Sequence, residues 1–438
     1  MGPLDRLRRL RSLVPAGAAG VGGGLILLGA SSYVFLTLSA RELRPEAFAA
    51  LSVLYTLVYT VGPGLFLPLE QELGRAIAHR QARGEGGGPV VRRAAALSSA
   101  LVLALLVAAA AAWTPLTDRL FNGSSSLQAA LLVGLLTLWL AHLTRGGLAG
   151  LGRFPAYGRQ LAVEGVSRAG VCIVFAAIAV HAVGWYGWLL PLGLGLSVVA
   201  TARHTGAMLE PGPPAGWAEL SQALFMLLGG SLLSQILVNA APVVAKVIAS
   251  HAERAEAGRL LAGLVLTRVP LFLFAAVQAA LLPSLAAALS RGERATFVRG
   301  LRRLTLGLTG LGALSVFVAL AIGPEVMRLL FGNGYALPRS SLTELAVASA
   351  AYMLAAVFAQ SLVALQRYGH AAMSWAAGVA AFAGLVAMSG SLVTRVTVAF
   401  LGGSVVAVVL ALALLVRDWR SHAATPDSEF LPIATVET

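Results

Sequence analysis

This sequence is poor in charge, in acids, in lysine and in cysteine. Only 12% of its 438 residues are charged, against about 25% in a typical soluble domain. The single Cys172 excludes an intramolecular disulfide, and its place in an apolar run reads as a buried, inert thiol. The single lysine, Lys246, has no glycine-rich loop before it, and the Gly-rich stretch 84–88 has no lysine. That excludes the phosphate cradle of an NTP-driven pump, which needs both. The seven histidines are scattered, with no HExxH motif and no Cys/His cluster, so neither a metal nor a cofactor is implied. No Ser/His/Asp arrangement and no paired carboxylates point to an enzyme. Asn122-Gly123-Ser124 fits a glycosylation sequon, but in an Ala/Gly/Arg-rich chain of bacterial cast it reads as a turn.

What is present is apolar. Hydrophobic residues make up 58% of the chain, and the mean hydropathy is +0.82. They fall in runs of about 20 residues, long enough to cross a hydrocarbon core of about 30 Å. The reading is an all-α polytopic membrane protein of about twelve helices, near 17–39, 46–69, 94–115, 126–148, 160–182, 184–202, 220–245, 257–285, 303–323, 342–366, 371–391 and 395–416. Period-2 alternation is missing, which excludes a β-barrel. A net charge of +13 in a soluble protein would suggest nucleic acid; here it marks loops that face anionic lipid, with no nucleic-acid motif. With the N-terminus inside, about 21 basic residues fall on the inner side and roughly nine on the outer. The expectation is a multi-pass protein of a bacterial plasma membrane with both termini cytoplasmic.

The second half repeats the first at an offset of roughly 209 to 215 residues. Arg119-Leu120-Phe121 returns as Arg328-Leu329-Leu330-Phe331. Arg145-Gly146-Gly147-Leu148 with Leu151 and Arg153 returns as Gln360-Ser361-Leu362 with Leu365 and Arg367, and Pro68 as Pro283. Two parallel six-helix repeats follow, related by an axis along the membrane normal. The expected layout is a basic cytoplasmic N-terminus (1–16), a first lobe (17–204), a cytoplasmic linker (205–217), a second lobe (218–416) and a disordered cytoplasmic tail (417–438). Arg6 to Arg11 before the first apolar run could belong to a secretory signal, but that run has a partner in the seventh, so it reads as part of the bundle.

Ionisable residues in spans are costly, on the order of 3 kcal/mol at a helix centre, and face a cavity or a partner. Arg268 stands near the middle of the eighth expected span. Lys246 ends the seventh, and Arg145 the fourth. These three are the candidate substrate-binding cations. Glu164 and Arg168, four residues apart, form an expected ion pair. Glu70, Glu72 and Arg75 read as a gate or a charged helix end. Gly62-Pro63-Gly64 with Pro68, and Pro270 with Pro283, are expected to break the second and eighth spans at matching places, the pointer to a moving element.

The segments Gly64 to Arg75, Arg145 to Phe154 and Arg268 to Phe274, continuing through Gln278 to Pro283, resemble polysaccharide-biosynthesis membrane proteins. Those are O-antigen flippase-like members of the multidrug/oligosaccharidyl-lipid/polysaccharide (MOP) exporter superfamily. The resemblance covers about 17–416. It implies a V-shaped MATE-like bundle around a cavity that alternates between membrane faces, and a polyprenyl-(pyro)phosphate-linked glycan held by cations, with Arg268 matching the arginine of the eighth span. Glycosyltransferases or polymerases of the same pathway would be partners. The expected function is therefore a flippase or exporter of lipid-linked oligosaccharide or envelope polysaccharide precursor. The alternatives are a cation-coupled multidrug exporter of the same fold and a non-transporting scaffold in an envelope-synthesis complex. A major-facilitator protein is disfavoured, since its Asp-Arg motif is missing between Arg75 and Arg93.

Overall fold

A computed structural model describes residues 18–216, 224–271, 273–274, 289 and 291–424. All regular structure among them is helical, as a bilayer demands of a chain that must satisfy its own backbone. Among the described residues, eleven helices are long and apolar enough to cross a membrane. The twelfth expected, 257–285, is described only in part, and Pro283 lies outside the described residues.

The first lobe holds α1 (Ala18–Glu42), α2 (Pro45–Val61), a π-helical turn (Gly62–Phe66), α3 (Leu67–Ala82), α4 (Gly88–Ala111), the short α5 (Trp113–Leu120), α6 (Ser125–Gly150), α7 (Phe154–Ala177) and α8 (Val183–Thr201). The second holds α9 (Leu224–Ile248), α10 (Arg254–Thr267), α11 (Arg294–Phe331), α12 (Arg339–Ala364), α13 (Tyr368–Val386) and α14 (Leu392–Ala424). The order of neighbours is the same in both. In the first lobe α7 lies against α1 and α8, α8 against α6, and α6 against α4; in the second α13 lies against α9 and α14, α14 against α12, and α12 against α11.

The repeat extends to backbone detail. Helix α6 closes with Leu151 N–H donating to Gly147 O and Arg153 N–H to Leu148 O, around Gly152 at φ +67°. Helix α12 closes with Leu365 N–H donating to Ser361 O and Arg367 N–H to Leu362 O, around Gln366 at φ +61°. A glycine suits that left-handed position, while a glutamine adopts it at some cost.

Three expectations need correction. The second span does not end at 69: α2, the π turn and α3 run continuously for 38 residues, Pro45–Ala82. Pro68 sits in the first turn of α3, where a missing N–H is tolerated, so the interruption is a widened turn and not a break. Glu70 and Glu72 therefore lie inside a helix. Arg145 is likewise not at a helix end, because α6 continues to Gly150. Residues 417–424 of the expected tail continue α14, which is helical to Ala424, and 425–438 lie outside the described residues. The linker, with a 3₁₀ turn at Gly206–Leu209, is held to the first lobe by Arg80, which donates to Pro213 O at 2.8 Å.

Candidate functional site

Two prolines open carbonyls where the lobes meet. Pro242 lies inside α9 and has no N–H for Val238 O, four residues earlier. Arg268 fills that position: its Nη2 donates to Val238 O, and its Nη1 to Asn239 Oδ1 at 3.2 Å. In the π turn Leu67 N–H reaches Gly62 O. The next donor in that register would be Pro68, which has none, and Ser231 Oγ of the second lobe donates to the open Pro63 O at 2.7 Å.

Arg268 is a single turn residue in the eighth span: it caps α10 after Thr267, and helix resumes at Val269 and runs through Pro270. It is half-buried, its Nε has no partner, and among the described residues no carboxylate pairs with it. The hydroxyl of Tyr33 on α1 donates to Val265 O at 3.2 Å, which brings the first lobe to within a turn of Arg268.

The remaining cross-lobe hydrogen bonds among the described residues gather at one end of the molecule. Arg41 Nε donates to Leu330 O at 2.8 Å and its Nη2 to Leu329 O. Tyr335 OH donates to Leu43 O at 3.0 Å. Lys246 Nζ donates to Asn122 Oδ1 at 2.5 Å, while Asn122 Nδ2 donates to Glu46 O at 2.9 Å. Gly258 packs so closely on Pro45 that a Cβ would fall 2.3 Å from Pro45 O. These residues sit at the α1–α2, α5–α6, α9–α10 and α11–α12 junctions, on one face of the bundle. That face is closed. Lys246 thus belongs to the closed end and not to the surroundings of Arg268.

Inside the first lobe lies a buried polar network. Helix α7 presents Tyr157, Gln160, Glu164 and Arg168 at spacings of three and four, one face of a helix. Glu164 accepts from Tyr59 OH at 2.8 Å and from Arg145 Nη2, with Arg168 Nη1 3.8 Å away. Arg168 donates to Ser32 Oγ at 2.7 Å and to Tyr59 OH, and its guanidinium lies 5.4–5.9 Å from the ring centres of Phe35, Tyr55 and Tyr59. Arg145 is therefore a second partner of Glu164 that spacing alone did not suggest.

One helical turn from Arg145 on α6, His142 Nδ1 lies 2.6 Å from Glu70 Oε2, and Tyr157 OH donates to Glu70 Oε1 at 2.6 Å. Both carboxylates are buried, yet only Glu164 is met by guanidinium groups. The sequence reading took Glu70 for part of a gate or a charged helix end because it ended the span at 69, whereas the helix runs on to Ala82. A cavity of about 10 Å³ lined by Phe66, Glu70, Ser98, Trp139 and His142 adjoins it, close to the room one water needs.

No family model matches this chain. It is 26% identical over 434 residues to the uncharacterized protein Rv3630 of Mycobacterium tuberculosis, covering 92% of this chain and 96% of that one. It is 28% identical over 300 residues to the uncharacterized protein Rv1510 of the same organism, covering 65% and 66%. Among solved structures, it matches a MATE family multidrug transporter of the MOP superfamily in its inward-facing conformation with TM-score 0.76 and 13% identity, over 91% of this chain and 96% of that one. The outward-facing conformation of such a transporter matches at TM-score 0.66 and 16% identity, over 93% and 96%. A MOP superfamily transporter from Pyrococcus furiosus, described as having a binding pocket of reverse polarity, matches at 0.67 and 14%, over 93% and 96%. The fold of this multi-pass membrane protein is that of the MATE transporters: an all-α bundle of two parallel helical repeats.

Proposed function

We propose that this chain is an alternating-access flippase or exporter whose substrate is a lipid-linked oligosaccharide or a related envelope precursor. One observation carries the substrate class. Arg268 is a guanidinium at the seam of the lobes with no carboxylate partner among the described residues and an unused Nε. Such a group suits the phosphates of a polyprenyl-(pyro)phosphate head, which accept charge-assisted hydrogen bonds while the lipid tail stays in the bilayer. The transport cycle is supported by a seam bonded at one end. With the termini cytoplasmic, the closed end is the outer one, and the better match to the inward-facing neighbour agrees with a state open to the cytoplasm. Glycosyltransferases or polymerases of the same pathway are the partners that go with this reading.

The test is flipping of a short-chain polyprenyl-pyrophosphate sugar in vesicles that hold the purified chain. Arg268→Gln retains a donor for Val238 O and removes the charge. It is expected to fold, insert and lose transport; flipping at the wild-type rate overturns the cationic-site reading.

A second reading, a cation-coupled exporter of the same fold, draws on Glu70. Its carboxylate is buried and bonded by His142 and Tyr157, with no arginine among its hydrogen-bond partners. Under this reading Glu70→Gln abolishes the dependence of transport on a proton or sodium gradient, and transport indifferent to that change removes it.

A further inference from the structure

Helix α11 is 38 residues long, about 57 Å at the α-helical rise, nearly twice the hydrocarbon thickness. Its uncharged stretch, Leu304 to Gly323, covers 20 residues, about 30 Å. That places Arg302 and Arg303 at the hydrocarbon boundary and Arg299 one turn beyond it. All three are exposed. Arg299 makes only a 3.4 Å bond to Thr296, and none of the three has an ion-pair partner among the described residues.

The same helix face continues below the arginines with exposed Leu306, Leu314 and Phe317, at 61%, 58% and 66% exposure. Between them Gly307 and Gly310 leave open space, since a Cβ at either would meet nothing within 4 Å. The opposite stripe, Leu304, Leu308, Gly312 and Ala319, is buried. At the head of the helix Phe297 stacks on Trp419 of α14, with ring centres 5.6 Å apart and planes at 15°. That stack fixes the arginine-bearing turns against the end of α14, where Arg420 is also exposed.

We infer that this face is a binding site for an anionic phospholipid of the bilayer, with its phosphate on Arg299, Arg302 and Arg303 and an acyl chain lying in the notch over Gly307 and Gly310. The occupant follows from the match in both chemistry and order. A cationic cluster without counter-ions among the described residues stands at headgroup depth, and an apolar groove runs from it into the hydrocarbon. A soluble anion would use the first and leave the second unexplained. The site is separate from Arg268 and does not depend on the transport reading.

The experiment uses the full-length chain in mixed micelles with equal phosphatidylglycerol and phosphatidylcholine, and reads the lipid retained by native mass spectrometry. Each interfacial arginine favours an anionic lipid about fivefold, so the wild type is expected to retain phosphatidylglycerol in excess by tenfold or more. R299Q/R302Q/R303Q is expected to bring the ratio close to unity, and R299K/R302K/R303K to keep most of it. Gly310→Leu, which fills the notch, is expected to lower retention of both lipids about twofold to threefold by the loss of chain contact. A wild-type ratio near unity overturns the site, as does a glutamine triple variant that keeps its preference. So does an equal loss from R92Q/R203Q on the other lobe, which would make the preference a property of the whole basic surface.

Discussion

The two lobes share a chain path and differ in what their cores contain. Where α6 of the first lobe carries His142 and Arg145, α12 of the second carries Val357 and Gln360 at the repeat offset. Where α7 carries Gln160, Glu164 and Arg168, α13 carries Ser374, Gly378 and Phe382. The first lobe thus buries Glu70, Glu72 and Glu164 with Arg80, Arg145 and Arg168, while at the matched positions of the second, backbone packs on backbone. A Cβ on Gly378 would lie 2.8 Å from Gly403 O. Duplicated helices need only a common packing outline; the chemistry inside is free to diverge as long as each buried charge finds a partner. The second lobe holds the half-buried Arg268 and meets it with a carbonyl and an amide instead of an acid.

The comparison can be broken most sharply at Glu164. Glu164→Leu leaves Arg145 and Arg168 buried without their shared anion, and is expected to destabilise the protein by about 3–5 kcal/mol, read from unfolding in detergent. The triple change E164L/R145L/R168M makes the first lobe resemble the second. Its expected stability lies within about 2 kcal/mol of the wild type, because a buried ion network is often replaceable by apolar packing. If the triple variant is as unstable as the single one, the network holds the helices in register and is not merely self-neutralising.

In the second lobe the corresponding lesion is steric. Gly378→Ala drives a methyl into Gly403 O, with an expected cost of about 1–3 kcal/mol, and the same unfolding measurement reads it. The smallest effect is at the seam. Lys246→Met removes one charge-assisted hydrogen bond to Asn122, on the order of 1–2 kcal/mol. It should shift the balance between closed and open outer ends without lowering stability of either lobe. Distances between spin labels at the α1–α2 and α11–α12 junctions report that balance, and an unchanged distribution removes Lys246 from the latch.

Much of the bundle was legible in the sequence. Apolar runs near 20 residues, the repeat and the scarcity of charge are each sufficient for membrane helices, because lipid leaves the backbone few options. The site was legible in part. Arg268 stood out because an arginine deep in an apolar run is rare, and Glu164 with Arg168 because four residues is one helical turn. Arg145 as a partner of Glu164 was not legible, since 19 residues of sequence separate them across a helix hairpin. Glu70 was legible only as part of a gate or a charged helix end, because Glu72 and Pro68 together imitate one, and its partners His142 and Tyr157 lie far off in sequence.

The sequence by itself therefore determined the solvent, the helices and the duplication, all of which follow from composition and period. Only the tertiary structure decided which charges are neutralised and which remain for a ligand. Pairing depends on which helix faces meet, and the carbonyls opened by Pro68 and Pro242 acquire their donors only when α10 reaches α9 and the second lobe reaches the first.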